Sequence, residues 1–120
     1  MKKFLIITRQ AGNFSRLAKR LNNATANELI WADSIATART AASGSIDLII
    51  IDENVDGRPG KDIAMEMIRI NAMANLALVS GLSPEEFHEA SEGLGIMAQL
   101  PPCPDEKDAE RLLSILAALS

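Results

Sequence analysis

The sequence predicts a three-layer α/β fold, a parallel sheet with helices on both faces. Three observations predict it. Strand-like and helix-like segments alternate five times along 120 residues. The run Leu48–Ile51, preceded by Ile46 and the single Asp47 and followed by Asp52, is apolar throughout, as a strand buried on both faces requires. Gly, Asn, Pro and Ser sit between the segments, where turns and helix caps need them.

In chain order, Lys3–Thr8 is the first strand, short and β-prone, followed by a loop at Gln10–Asn13. Ser15–Leu21 is a short helix, with Phe14, Leu17, Ala18 and Leu21 on one stripe and Arg16, Lys19 and Arg20 outside it. Asn22 and Asn23 stop it. Glu28–Ala32 is a moderately apolar second strand, suited to a sheet edge, with Trp31 as a packing residue. Asp33 or Ser34 caps an alanine-rich helix that runs to Ala42 and ends at Ser43-Gly44.

The third strand ends at Asp52, and Gly57, Pro59 and Gly60 make a turn after it. Lys61–Ile70 is a helix with Ile63, Met67 and Ile70 inward, and Leu76–Val79 a fourth strand ending at Ser80-Gly81. Ser83-Pro84-Glu85-Glu86 combines a cap, a first-turn proline and acids at the positive end of a helix that runs to Gly93. Gly95–Leu100 is the fifth strand, and Asp105–Leu119 a last helix with Leu112, Leu113, Ile115, Leu116 and Leu119 apolar. The connections of such a βα series are right-handed crossovers, and residues 1–120 form one domain.

Composition excludes several functions. The net charge of −4 provides no basic field for a phosphate backbone, so no direct nucleic-acid partner is expected. No apolar run approaches the roughly 20 residues of a membrane span, and the N-terminal run Phe4–Ile7 is too short for a signal peptide. With one cysteine, Cys103, no internal disulfide forms, and a cytoplasmic location is expected. Cys103, between two prolines, reads as structural filler. His88, alone among acids, reads as surface, and Met65, Met67, Met73 and Met97 as core or adaptable filling. No nucleophile–base pair and no phosphate-cradling loop is present, so an enzyme is not expected.

Ligands of an open parallel sheet gather beyond the carboxyl ends of its strands. Asp52 stands at such an end, flanked by Glu53 and Asp56, which either join it in an acidic cluster or are solvated loop acids.

The third strand LIIID, the segment ALVSG and the run EASEGLGIMAQLP together resemble the receiver domain of response regulators, the phosphoacceptor module of two-component signalling, over the whole chain. The resemblance implies a flavodoxin-like sandwich with a five-stranded parallel sheet in the order 2-1-3-4-5 and five helices. It places Asp52 at the phosphoacceptor, the Asn54 carbonyl at a metal ligand, Ser80 at the switch hydroxyl, Gly93 at the signature glycine and Pro101 at the proline. Departures from the family are equally specific. Thr8 and Arg9 match its two metal-holding acids, Leu100 its lysine, and Met97 its aromatic switch residue.

Phosphoryl transfer to a carboxylate relies on a divalent cation and fixed positive charge. One carboxylate with one carbonyl is a poor donor set for Mg²⁺, which leaves weak binding at best and no other cofactor. Arg9 is expected to pair with Asp52 as a fixed counter-charge, or else to be a solvent-facing loop charge. The resulting expectation is a stand-alone atypical receiver, a pseudo-receiver acting through protein contacts without normal Mg²⁺-dependent phosphorylation. The resemblance implies a histidine kinase or output protein as partner, or a homodimer, through the face of the fourth helix, fifth strand and last helix. Glu86, Glu89, Met97, Gln99, Arg111 and Ser114 lie on that face. Alternatives are a phosphorelay receiver labelled at Asp52, and a small flavodoxin-like nucleotide-binding or enzymatic domain.

Overall fold

In a computed structural model that describes residues 2–24 and 27–119, the chain folds as strand and helix in alternation. The large sheet contains β1 (Lys3–Ile7), β2 (Glu28–Ala32), β3 (Leu48–Ile51), β4 (Asn75–Val79) and β5 (Ala98–Leu100). The helices are α1 (Ser15–Ala24), α2 (Ile35–Ala42), α3 (Gly60–Ile70), α4 (Pro84–Ala90) and α5 (Glu106–Leu119). The sheet order is β2-β1-β3-β4-β5, all parallel, as expected from the resemblance.

Period-two alternation divides the buried β-residues between two cores. Phe4, Ile6, Leu48, Ile50, Ala77 and Val79 face α1 and α5, where Phe14, Leu17, Leu21, Leu112 and Leu116 close over them. Leu5, Ile7, Ile49, Ile51, Leu76 and Leu78 face α2 and α3, meeting Ile35, Ala38, Ile63 and Met67. β3 is central, and all four of its residues are wholly buried. Asp47, just before it, accepts a hydrogen bond from Lys3 N at 2.8 Å, which accounts for a carboxylate beside an apolar run.

Several boundaries differ from the sequence expectation. Asn22-Asn23 does not stop α1, which continues to Ala24 and is preceded by a 3₁₀ turn at Ala11–Phe14. α4 ends at Ala90 rather than Gly93, and β5 begins at Ala98 rather than Gly95, because Gly93 and Gly95 both take positive φ and break regular pairing. After Asp52 the chain forms a two-stranded hairpin, Asn54–Val55 against Arg58–Pro59. Its turn residues Asp56 and Gly57 have φ of 54° and 74°, the left-handed pair that an Asp-Gly hairpin turn uses.

Side-chain expectations also need correction. Trp31 is 40% exposed and Leu119 61%; Met65 and Met73 are exposed at 43% and 91%, so only Met67 of the methionines named is fully in the core. Ser34, not Asp33, caps α2, its hydroxyl accepting from Thr37 N at 3.1 Å. The fourth helix has the full capping box that Ser83 and Glu86 suggest.

Candidate functional site at the carboxyl ends of β1, β3 and β4

The strand order reverses direction between β1 and β3, and such a switch point opens a crevice beyond the strand ends. Ile7 pairs with Ile51, so the residues that follow, Thr8 and Asp52, lie side by side. Asp52 N donates to the Ile7 carbonyl at 3.0 Å, extending the ladder by one bond. The Thr8 hydroxyl then donates to Asp52 Oδ2 at 2.6 Å. The same hydroxyl accepts from Gln10 N at 2.9 Å, which leaves its proton for the carboxylate. The other oxygen, Oδ1, accepts from Glu53 N at 2.7 Å. Thr8 is 3% exposed, so its bond to Asp52 is shielded from water.

Arg9 does not serve as the counter-charge of Asp52. Its Nη1 pairs with Asp56 Oδ1 at 3.0 Å, out on the hairpin turn. Asp56 Oδ2 also accepts from Ile35 N, at 2.9 Å, meeting one of the orphan donors at the start of α2. The Ile35 amide, with the Arg9 guanidinium, holds the Asp56 carboxyl below its ordinary range. Arg9 and Asp56 are thus employed in fastening the hairpin to β1 and α2. The signal that would have found this is the Asp56-Gly57 pair, the strongest short hairpin signature.

Glu53 does not form an acidic cluster with Asp52 and Asp56 either: its Oε2 accepts from Gly81 N at 3.0 Å. Its carbonyl accepts from Gly60 N at 2.8 Å. A β-carbon at Gly60 would stand 2.6 Å from the Asp52 carbonyl oxygen, so glycine is required for α3 to start this close to the end of β3. Ser80, at the end of β4, accepts from Leu82 N through Oγ at 3.1 Å. Leu100, which the resemblance sets at the family's lysine, is fully buried in the α1–α5 core, with Met97 packed against the same cluster. An open cleft of about 270 Å³ remains beside Asp52, walled by Gln10, Asn13, Asn54, Pro102 and Cys103. Cys103 is exposed.

Solved structures share this architecture. A two-component response regulator from Clostridium difficile superposes with a TM-score of 0.82 at 16% identity, over 100% of this chain and 99% of that one. A CheY-like receiver domain protein from Methanospirillum hungatei gives 0.81 at 15% identity, over 98% and 95%. The chemotaxis response regulator CheY4 of Vibrio cholerae gives 0.79 at 16% identity, over 97% and 98%. The chain has the receiver-domain fold. No protein-family model matches the sequence, and no curated protein matches it.

Against that fold, the residues at the strand ends do not fit the divalent cation that receivers hold. A small hard cation needs several oxygen ligands, usually carboxylate-rich. Here Asp52 has a hydrogen bond on each oxygen, the neighbouring Glu53 is turned to Gly81 N, and Thr8 and Arg9 stand where the resemblance sets the family's two acids. Among the described residues no group of three or more His, Cys, Asp or Glu side chains converges as a metal site. On the α4–β5–α5 side, Glu86, Glu89, Arg111 and Ser114 are exposed, with Met97 and Gln99 half-buried. Gln99 is tied inward, its Nε2 donating to the Ser80 and Leu82 carbonyls at 3.2 and 2.8 Å, and Arg111 donates to the Gln99 carbonyl at 2.6 Å. Among the described residues no helix is long and apolar enough to cross a membrane.

Proposed function

We propose that this chain is an atypical receiver, a signalling module that acts by protein–protein contact and not by Mg²⁺-dependent phosphorylation. The observation that carries this reading is the occupation of Asp52. The Thr8 hydroxyl and the Glu53 amide take its two oxygens at 2.6 and 2.7 Å. Each bond stabilises the carboxylate, a hydrogen bond to a charged group being worth roughly 1.5–3 kcal/mol, and so weakens Asp52 as a nucleophile while leaving a further lone pair on each oxygen. Nothing in the donor set compensates. Among the described residues no fixed cation pairs with Asp52: Arg9 is committed to Asp56, and Leu100, which the resemblance sets at the family's lysine, is buried.

The surface built from α4, β5 and α5 is the contact face in this proposal, either for a separate output or kinase protein or for a second copy of the chain. A twofold arrangement would set this face against itself. Its mixture of exposed acids (Glu86, Glu89) with Arg111 suits a self-complementary pairing.

The test is incubation with acetyl phosphate and Mg²⁺, read by intact mass. The expected result is an unmodified mass for the native chain and for Thr8→Asp alone, since Thr8→Asp restores only one of the missing groups. Stoichiometric gain of one phosphoryl group by the native chain, abolished in Asp52→Asn, would overturn the proposal in favour of a working phosphorelay receiver.

A further inference from the structure

β2 lies at one edge of the sheet, and its backbone shows which groups that edge leaves open. Glu28 N donates to the Lys2 carbonyl and Thr8 N to the Ala32 carbonyl, each at 2.9 Å. Glu28, Ile30 and Ala32 therefore turn their peptide groups toward β1. Leu29 and Trp31, between them, turn theirs outward. Among the described residues no strand or side chain takes up those outward N–H and C=O groups. An open edge is an association site unless lysine, proline, a bulge or a covering loop blunts it. β2 carries no lysine, proline or bulge: Glu28–Ala32 keeps an unbroken register with β1. Its middle is Leu29-Ile30-Trp31, the first two half-buried and Trp31 exposed. β5, at the opposite edge, is guarded: it is three residues long, and Arg111 occupies the Gln99 carbonyl.

The β2 edge also matches itself. When two copies run antiparallel about a twofold axis at Ile30, Leu29 of each stands opposite Trp31 of the other, and each pair exchanges both N–H···O bonds. Leu29 packs on the α1–α5 side of the sheet and Ile30 on the α2–α3 side. Trp31 shares the Leu29 side, so it meets the second copy's Leu29 there, while the two Ile30 side chains meet on the other face. Aromatic and β-branched cross-strand pairs of this kind are what stabilise neighbouring strands. Charge agrees with this register. Glu28 falls opposite Ala32 and Asp33 opposite Asn27, so no like charges meet. An axis at Leu29 would set Trp31 against Asn27, and an axis at Trp31 would set Leu29 against Asp33.

We propose that β2 is a homodimerisation edge, where two copies of the chain pair β2 to β2 about Ile30 into one continuous sheet. The α4–β5–α5 face lies at the other edge and stays free for a separate protein. The inference is independent of whether Asp52 accepts a phosphoryl group.

Sedimentation velocity on the full chain, up to millimolar concentration, is expected to show a monomer–dimer equilibrium. Trp31→Lys, which puts a charge on the open edge, should abolish it. Trp31 is the single tryptophan, so its emission should shift to the blue as the native dimer forms. Register is read by cysteine crosslinking in a Cys103→Ser background, which removes the exposed native thiol. About the proposed axis the two copies of residue 30 form a non-hydrogen-bonded pair with Cα atoms about 4.5 Å apart, within the roughly 4.4–6.8 Å that a disulfide spans. Residues 29 and 31 lie roughly 8 Å from their own counterparts. Ile30→Cys should therefore oxidise to a covalent dimer about tenfold faster than Leu29→Cys or Trp31→Cys. Circular dichroism reports whether Trp31→Lys is folded; where it is not, the crosslinking decides alone. A native chain that stays monomeric, a dimer that folded Trp31→Lys leaves intact, an unmoved emission, or equal crosslinking at the three positions would overturn the proposal.

Discussion

α1 and α4 pack on opposite faces of one sheet and are secured by opposite means. α1 buries Leu17, Ala18 and Leu21 and shares a core with α5. Its outer face is bound to α5 by Arg16, which reaches both oxygens of Glu106 at 2.7 and 2.8 Å, and by Arg20 to Glu110 at 3.3 Å. α4 buries nothing completely; Phe87 is half-buried against the α2–α3 core. It is defined by its cap: Ser83 accepts from Glu86 N, and Glu86 accepts from Ser83 N, each at 3.2 Å. One helix is placed by area and the other by its end. Elements of low local stability are those from which moving parts are drawn, so the difference sets α4 apart from the well-packed α1 as the helix expected to open first.

The sharpest way to break this contrast is to truncate an anchor on each side. Leu112→Ala, at a fully buried position between α5 and the sheet, is expected to cost about 2–4 kcal/mol in urea unfolding, whereas Phe87→Ala on α4 should cost about 1 kcal/mol. Equal losses would mean that α4 is as firmly packed as α5.

A middle case tests whether the α2–α3 face as a whole is loose, or α4 alone. Glu66 on α3 is bound by Arg39 of α2, and also by Arg58 at 3.1 Å. The Arg39 bond, then Arg58, lowers its pKa from 4.5 to about 2. A carboxyl depressed in the folded state contributes stability above its unfolded pKa and loses it as pH falls through the folded value. Stability should therefore decline between about pH 4.5 and pH 2 by an increment that Glu66→Gln removes from the acid limb. If thermal melts of the two proteins run parallel across that window, the α2–α3 tie is weaker than its geometry.

The smallest expected effect is at the cap. Ser83→Ala removes an N-cap, worth about 1 kcal/mol to the helix. With no buried side chain, α4 is expected to open ahead of the core, so global unfolding should move by no more than about 0.5 kcal/mol while hydrogen exchange over residues 84–90 quickens. A full loss in global stability would place α4 inside the cooperative unit and erase the contrast.

Much of this was legible in the residues. The apolar β3, the stripe Phe14-Leu17-Ala18-Leu21 and the Ser83–Glu86 cap each depend on neighbours in the chain, and each formed as its spacing implied. What escaped was partnership across the chain. Arg9 and Asp52 are both at strand ends and oppositely charged, which made their pairing plausible. The tight turn at Asp56-Gly57 brings a different carboxylate to Arg9, and it is this carboxylate that also caps α2. Thr8 carried no charge to attract notice, yet register alone sets its hydroxyl on Asp52.

By itself, then, the sequence determined the alternation of strands and helices, the buried β3 and the position of Asp52 at its end, because periodicity and capping are local properties of the chain. Only the tertiary structure decided which groups hold Asp52, where Arg9 goes, and that Glu53 reaches Gly81. Hydrogen bonds act over about 3 Å, and residues 44 or 28 positions apart come within that range only after the sheet has set their strands side by side.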